Sequence, residues 1–593
     1  MPRFLPHYRL WSDRPIAGHP GLQPNFWDIL AFPLVIGMMG LFGWVAFKMA
    51  GRMDPGIAET ISLDWWHLPE YAMRSMARMM FALGASVIFT LVYATLAAKS
   101  RRAGSVLIPL LDIMQSVPIL SYVAFTFTAL VALFPGRLIG AELAAIFAIF
   151  TSQVWNMTFS LYQSLMNVPT DLREAATVFQ LSRWQKFWRL ELPFAMPGLV
   201  WNAMVSMAGG WFFVTAAESI TVANHTLSLP GLGSYIGAAI LVQDQQAMVY
   251  AILTMFIVII LYDQILFRPL VVWSAKFKLE DIQSESQPKS LVWDIFRRTL
   301  LFRRLEFPFE AGLRKIRQIF PRQTLSPRAV LPLWRGMVPR NSRRNRLILD
   351  LLWYGLLASL GGTLLYNSLV FAREAIGWND LLHILMLGSF TALRVVAMIA
   401  LILLIWVPLG VAIGLRPRLA QWVQPLAQIL AAFPANLYFP WITVLIITYG
   451  LEPNIWVSFL MILGSQWYLL FNVIAGTMAF PQDLRDAAKC FKIHGFLWWR
   501  KVILPGILPY ILTGVITAAG GAWNAAIIAE LSGWGTDRVT AQGLGAYIAT
   551  ATRNGNLPAV LVGTIVMSIF VIAFNRLLWR PLYEITAKKM RLG

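Results

Sequence analysis

Apolar residues fall along this chain in blocks of about twenty or more, set apart by short polar stretches. A block of that length crosses about 30 Å of hydrocarbon as an α-helix. Inside lipid the backbone finds no water to bond, so only helices or a closed barrel can span it. Barrel strands alternate apolar and polar positions over about ten residues. These blocks do not alternate, and helices are therefore predicted. Six lie early in the chain: Asp28–Ala50, Tyr71–Ala98, Val106–Phe134, Glu142–Leu165, Pro193–Ile220 and Ala247–Phe267. Six more follow: Leu347–Phe371, His383–Leu415, Pro425–Gly450, Asn454–Thr477, Pro505–Leu531 and Pro558–Leu578. The pattern predicts an all-α polytopic membrane protein with about 12 transmembrane helices.

The two sets repeat each other. Ser164–Ala176, which contains Val-Pro-Thr-Asp-Leu-Arg-Glu-Ala-Ala, answers Gly476–Ala488, with Phe-Pro-Gln-Asp-Leu-Arg-Asp-Ala-Ala, at an offset of 312. That offset also pairs Pro193 with Pro505, Trp211 with Trp523, Glu218 with Glu530, Gly233 with Gly545 and Tyr235 with Tyr547. Earlier the offset is 316, pairing Arg78 with Arg394, Pro109 with Pro425 and Pro118 with Pro434. Six spans is an even number, so both halves run in the same direction. The fold class is two parallel six-helix repeats about a pseudo-two-fold axis along the membrane normal. The domains are then a tail (1–27), a first six-span half (28–272), a connector (273–346) and a second six-span half (347–593). A path for a transported solute is expected between the halves.

Charge orients the spans. Only 13% of the 593 residues are charged, yet Lys and Arg give a net charge of +20. That excess could suggest nucleic acid, but it collects in alternate loops: Lys99, Arg101 and Arg102; Arg173, Arg183, Lys186 and Arg189; the connector; Arg416 and Arg418; Arg485, Lys489, Lys492, Arg500 and Lys501; Lys588, Lys589 and Arg591. This is the positive-inside pattern, and it puts both termini and all these loops in the cytoplasm. The partner it implies is membrane lipid, not nucleic acid. Within the connector, stretches such as Leu291–Arg304 and Glu310–Phe320 have the amphipathic spacing of helices lying on an anionic leaflet. No cleavable signal peptide is expected at the N-terminus, which has no apolar core before Phe26.

Charges at membrane depth are costly and normally paired. Arg78 and Arg394 lie toward the outer ends of the second spans, and Glu218 and Glu530 toward the outer ends of the fifth. Two readings stand side by side: the arginines attract an anion into the path, or they form structural pairs Arg78–Glu218 and Arg394–Glu530. Trp211, Trp523, Asn202 and Asn524 are further candidates for the path or its gate. The glycine-rich outer loops, Thr221–Gln246 and Ser532–Leu557, are candidates for an outer gate or a docking surface.

The repeated inner loops carry the most specific signal. Each begins as a short helix, with Asp171 expected to cap one and Glu174 to reciprocate; Asp483 and Asp486 take those places in the other. Each ends in Leu192-Pro193 or Leu504-Pro505, where proline suits a first helical turn. Here the chain resembles the permeases of ABC importers, whose signature is Glu-Ala-Ala, then a glycine, then an Ile-x-Leu-Pro type ending. The matching residues are Glu174-Ala175-Ala176 and Asp486-Ala487-Ala488. Asp171, Arg173, Asp483 and Arg485 complete the two ATPase-coupling loops. Gln180 and Lys492 stand where the signature glycine is expected. Downstream, Gly521-Ala522-Trp523-Asn524, Glu530 and Gly543-Leu544-Gly545-Ala546-Tyr547-Ile548 are most similar to the nitrate, taurine and bicarbonate branch.

The resemblance implies a type I importer fold, here with the usual dimer fused into one chain, and a small anion as substrate. It implies two copies of an ABC ATP-binding subunit, which would hold ATP and Mg. It also implies a periplasmic or lipid-anchored substrate-binding protein, and residence in a bacterial inner membrane. The chain itself has no Gly-x-x-x-x-Gly-Lys-Ser/Thr loop, no nucleophile–base constellation and no metal-ligand spacing among its six His and single Cys490. It is thus expected to hold no cofactor and to be no enzyme. A twelve-span transporter driven by an ion gradient is the alternative; it would share the repeat and have no use for two coupling loops.

Overall fold

The computed structural model describes residues 61–222, 225–277, 290–298 and 377–579, with scattered positions within 33–49, 353–373 and 581–582. The predicted first spans of the two halves, Asp28–Ala50 and Leu347–Phe371, lie largely outside the described residues. The chain forms two compact units. The larger unit (Val45–Asp263, Phe277–Leu279 and Ser368–Gly593) contains most of both halves of the repeat.

Its first half opens with α1 (Leu68–Lys99), 32 residues long with proline in the first turn. At 1.5 Å per residue it measures about 48 Å, longer than the hydrocarbon, so it tilts or projects. Next come α2 (Arg101–Ser116), α3 (Ile119–Leu133), α4 (Ile139–Met166) and the short α5 (Thr170–Val178). A further turn, α6 (Arg183–Lys186), passes through a π-turn at Phe187–Glu191 into the 27-residue α7 (Leu192–Glu218). Strands β1 (Ser219–Val222) and β2 (His225–Ser228), then α8 (Leu232–Val242) and α9 (Gln245–Tyr262), complete it. In the smaller unit, α10 (Arg268–Ser274) precedes α11 (Leu291–Arg298), where Lys276 Nζ lies 5.3 Å from the centre of the buried Trp293 ring.

The second half repeats the order in the larger unit: α12 (Trp378–Gly414), α13 (Pro417–Ala432), α14 (Phe439–Thr448), α15 (Pro453–Ile462), α16 (Gln466–Met478), α17 (Gln482–Cys490) and α18 (Gly495–Trp498). A π-turn at Trp499–Ile503 leads into α19 (Leu504–Ala529). Strands β3 (Leu531–Trp534) and β4 (Asp537–Thr540), α20 (Leu544–Arg553) and α21 (Leu557–Phe574) follow. Among the described residues seven helices are long and apolar enough to cross a membrane, or ten if each bent pair counts as one span. Their outer surfaces suit lipid: Leu404, for instance, is 75% exposed.

Two expectations need correction. The third span of each half is not one helix. It bends by 100° between α2 and α3, and by 68° between α13 and the helical turns after Pro434. The cause is local. Val117 and Phe433 each precede a proline, whose ring clashes with an α-conformation in the residue before it. Both are accordingly extended, with ψ of 124° and 126°. The fourth span of the second half, expected as one helix over Asn454–Thr477, is also broken, by 45° between α15 and α16. The all-α class holds, with two short hairpins added. The β-branched run Ile220-Thr221-Val222 pairs antiparallel with β2, and β3 pairs with β4 from Leu531↔Thr540 to Trp534↔Asp537.

The bends also tie the halves together. Leu120 and Phe125 of α3 pack onto the second half's core. Asn524 Oδ1 of α19 accepts the Ile119 N–H at 2.7 Å, satisfying a donor that the helix start leaves free. Beyond the other bend, the Asn436 amide donates to Thr215 Oγ1 of α7 at 2.9 Å.

Candidate functional site

Each long fifth-span helix links two chemical sites. α7 and α19 start at the repeated basic loops and end, about 40 Å away at 1.5 Å per residue, at buried glutamates.

At the loop end, α5 and α17 stand exposed. Asp171, Glu174 and Ala175 are exposed and Ala176 is buried; Asp483, Asp486 and Ala487 are exposed and Ala488 is buried. The buried alanines let each helix lie close on the protein while its acidic face points outward. Asp171 does not cap α5 as the sequence suggested. Pro169 holds the cap position with no side-chain bond, as Pro481 does in α17. The acids sit in the first turn instead, where a negative charge still favours the helix dipole. Arg173 Nη2 donates to Leu165 O and Met166 O, both at 3.0 Å, and Arg485 Nη2 donates to Thr477 O. These arginines cap the last carbonyls of the preceding helix and anchor the loop.

Gln180 and Lys492 both adopt a left-handed conformation, with φ of 51° and 52°. The turn that glycine would make easily is therefore kept without the glycine. Just before it, Phe179 and Phe491 project, 67% and 80% exposed; Trp184 and Phe496 project after it. The exposed aromatics recur at the 312 register. The sequence reading overlooked them, although their spacing carried the signal.

At the far end lie two buried ionic clusters. Arg78 is fully buried. Its Nη1 donates to Glu218 at 2.6 Å, and its Nε and Nη2 grip Glu142 at 2.6 and 2.7 Å. Nη2 also donates to Pro230 O at 2.9 Å. Glu218 further accepts Ser75 Oγ–H at 2.6 Å and the Gly233 N–H at 2.7 Å. The second cluster matches it with one change. Arg394 Nη1 donates to Glu530 at 2.9 Å, but its Nε and Nη2 meet the backbone oxygen and side-chain oxygen of Asn454 at 3.1 and 2.9 Å. Asn454 occupies the register position of Glu142. Glu530 also accepts from Thr391 Oγ1 (2.8 Å), Gly545 N (2.7 Å) and Ala546 N (3.1 Å). In both halves the glutamate thus caps the free N–H groups that open α8 or α20.

This explains the repeated Gly-Leu-Gly. A Cβ at Gly231 or Gly543 would collide with the glutamate, and one at Gly233 or Gly545 with the backbone of the long helix beneath. Glu142, Asn454, Ser75 and Thr391 were missed in the sequence because each looks like an ordinary residue until the arginine is in place. Trp211 and Trp523 fill helix packing. Trp211 is fully buried edge-on to Tyr262, 5.6 Å between centres, and Trp523 lies against Phe570 and Phe574.

The loops at the glutamate ends of α7 and α19 join across the halves. Gly535 N donates to Ile240 O at 2.9 Å, and Gln243 Nε2 donates to Trp534 O at 3.1 Å. Gln243 itself is left-handed, with φ of 60°, at the end of α8.

Residues 86–268 and 406–580 each match the family described as binding-protein-dependent transport system inner membrane component. The chain is 26% identical over 171 residues to the nitrate import permease protein NrtB of Leptolyngbya laminosa, covering 29% of this chain and 58% of that protein. It is 28% identical over 128 residues to the bicarbonate transport system permease protein CmpB of Synechococcus elongatus, covering 22% and 45%. Over 203 residues it is 30% identical to the glycine betaine/proline betaine transport system permease protein ProW of Salmonella typhimurium, covering 33% and 52%. The chain thus spans about half the length of these relatives.

Proposed function

Because the chain belongs to the family of binding-protein-dependent transport system inner membrane components, we propose that it is the membrane subunit of an ATP-driven importer, with two permease units fused in one chain. The observation that carries this is the matched pair of exposed helices, α5 and α17, each followed after a tight turn by a short helix (α6 or α18) that runs through a π-turn into a long helix of the core. Two separate ATP-binding subunits dock there from the cytoplasm and supply ATP and Mg chemistry. Their closure pushes the loops, and α7 and α19 carry the displacement to the outer clusters. A binding protein delivers solute to the outer face, where α8, α20 and the two hairpins lie. The substrate is a small anion such as nitrate or bicarbonate, as the names of the similar permeases suggest.

The test is to purify the tagged chain gently and ask what accompanies it. An ATP-binding protein should accompany the wild type and be lost from Glu174→Arg plus Asp486→Arg. Both side chains are exposed, so the double variant should still fold. Failure to recover such a partner with wild type under any mild detergent or nucleotide condition refutes the reading and favours gradient-driven transport.

A further inference from the structure

The two coupling loops are not held alike. In the first half Lys99, the last residue of α1, reaches Glu191 at the end of the π-turn before α7, with Nζ 3.1 Å from the carboxylate. The same Nζ lies 4.7 Å from the centre of the Phe187 ring. One ammonium thus touches both ends of the π-turn that joins the loop to the long helix. In the second half the 316 offset puts Leu415 in the place of Lys99, and the 312 offset puts Ile503 in the place of Glu191. Ile503 is fully buried, and Leu415 and Trp499 pack onto the same apolar core. Beside Leu415 a cavity of about 300 Å³ opens, lined also by Arg485, Ala488, Lys489, His494 and Trp498.

We propose that Lys99 is a positioning residue: with Glu191 and Phe187 it straps the first coupling loop to the end of α1, while the second loop rests on a hollow, apolar joint, so the first loop is the stiffer lever. That a stiffer loop means tighter coupling rests on the reading of α5 and α17 as docking helices; the strap itself does not. The side chains of Lys99 and Glu191 are 40% and 15% exposed. A pair this wet holds its partners by about a two- to fivefold bias, and salt weakens it.

The first measurement is hydrogen exchange on the purified full chain. Lys99→Met keeps the apolar stem and removes the charge. It should raise exchange of Thr170–Glu191 about two- to fivefold and leave Gln482–Ile503 unchanged. Lys99→Glu with Glu191→Lys should restore the wild-type pattern, and wild type in molar salt should approach Lys99→Met. Unchanged exchange in Lys99→Met, or an equal rise in both loops, overturns the strap. In the chain reassembled with its ATP-binding subunits, uptake of labelled nitrate or bicarbonate per ATP hydrolysed should fall in Lys99→Met and recover in the swapped pair. Exchange that responds while no ATP-binding subunit associates refutes the docking reading and leaves the strap standing.

Discussion

Matched substitutions at the two buried glutamates should have unequal effects. Glu530→Gln removes the only carboxylate that Arg394 touches among the described residues; what remains is the Asn454 amide and a backbone oxygen. An uncompensated buried charge costs about 3–5 kcal/mol when its partner is removed. The Arg394 side chain is 10% exposed, so water recovers a little, and the low end of that range is expected. Glu218→Gln is milder, because Glu142 still grips Arg78 through two bonds. There the loss is mainly that of charge-assisted bonds from Ser75 and Gly233, about 1–3 kcal/mol. The assay is thermal loss of monodisperse tagged protein in detergent, followed by size-exclusion fluorescence. Glu530→Gln should melt well below Glu218→Gln. Glu142→Asn copies the second half and should be nearly silent alone. Combined with Glu218→Gln it should bring the first half down to the level of Glu530→Gln, a coupling that adding the single effects does not give. Equal melting of the two single variants, or simple addition in the double, would refute the charge argument.

Gln180→Gly and Lys492→Gly should raise or preserve thermal stability, since each relieves a left-handed residue, worth about 1 kcal/mol; Gln180→Val should lower it by a similar amount. Gly535→Val should break the contact across the outer loops, because a side chain there meets Gln243 and the backbone φ is +64°. Cysteines replacing Gln243 and Gly535 should crosslink in resting membranes, and absence of any crosslink would show that the outer loops are not joined in that state.

Hydropathy alone marked the positions of the spans that lie among the described residues, because lipid leaves the backbone no other choice. Depth in the membrane, read from the span directions, marked the arginine–glutamate partners, because a charge inside lipid needs a partner at its own level. Glu142 was hidden: it stands at the start of a span, where an acid usually faces water, and its half-two counterpart is an amide. The bends were written in Val117-Pro118 and Phe433-Pro434, but a long apolar run masks a break at its centre. The hairpins escaped because four-residue strands leave too short a pattern to separate from loop. Even the change of offset from 316 to 312 had a physical meaning. It falls between Pro118 and Glu142, where the first half has the continuous helix Ile119–Leu133 and the second has a 3₁₀ turn followed by the shorter Phe439–Thr448. Four residues is about one helical turn.

An anion entering between the halves meets little free positive charge at the clusters. Arg78 makes four hydrogen bonds to protein oxygen, and two of its partners are carboxylates. With Glu142 and Glu218 it forms a group of formal charge −1; Arg394 with Glu530 sums to zero. To bind Arg78 a solute would have to displace Glu142 or Glu218, and to bind Arg394 it would have to displace Asn454 or Glu530; loss of Glu218 or Glu530 would also uncap α8 or α20. Two of the contacts where the halves meet are made by neutral dipoles, Asn524 on Ile119 and Asn436 on Thr215, and in a third the Asp263 carboxylate accepts from Gln428 Nε2 at 3.4 Å. In the proposed importer, dipoles such as these would hold an anion without trapping it, which conduction requires. The fixed cations hold the glutamates on the helix ends, and the glutamates hold the starts of α8 and α20 in shape.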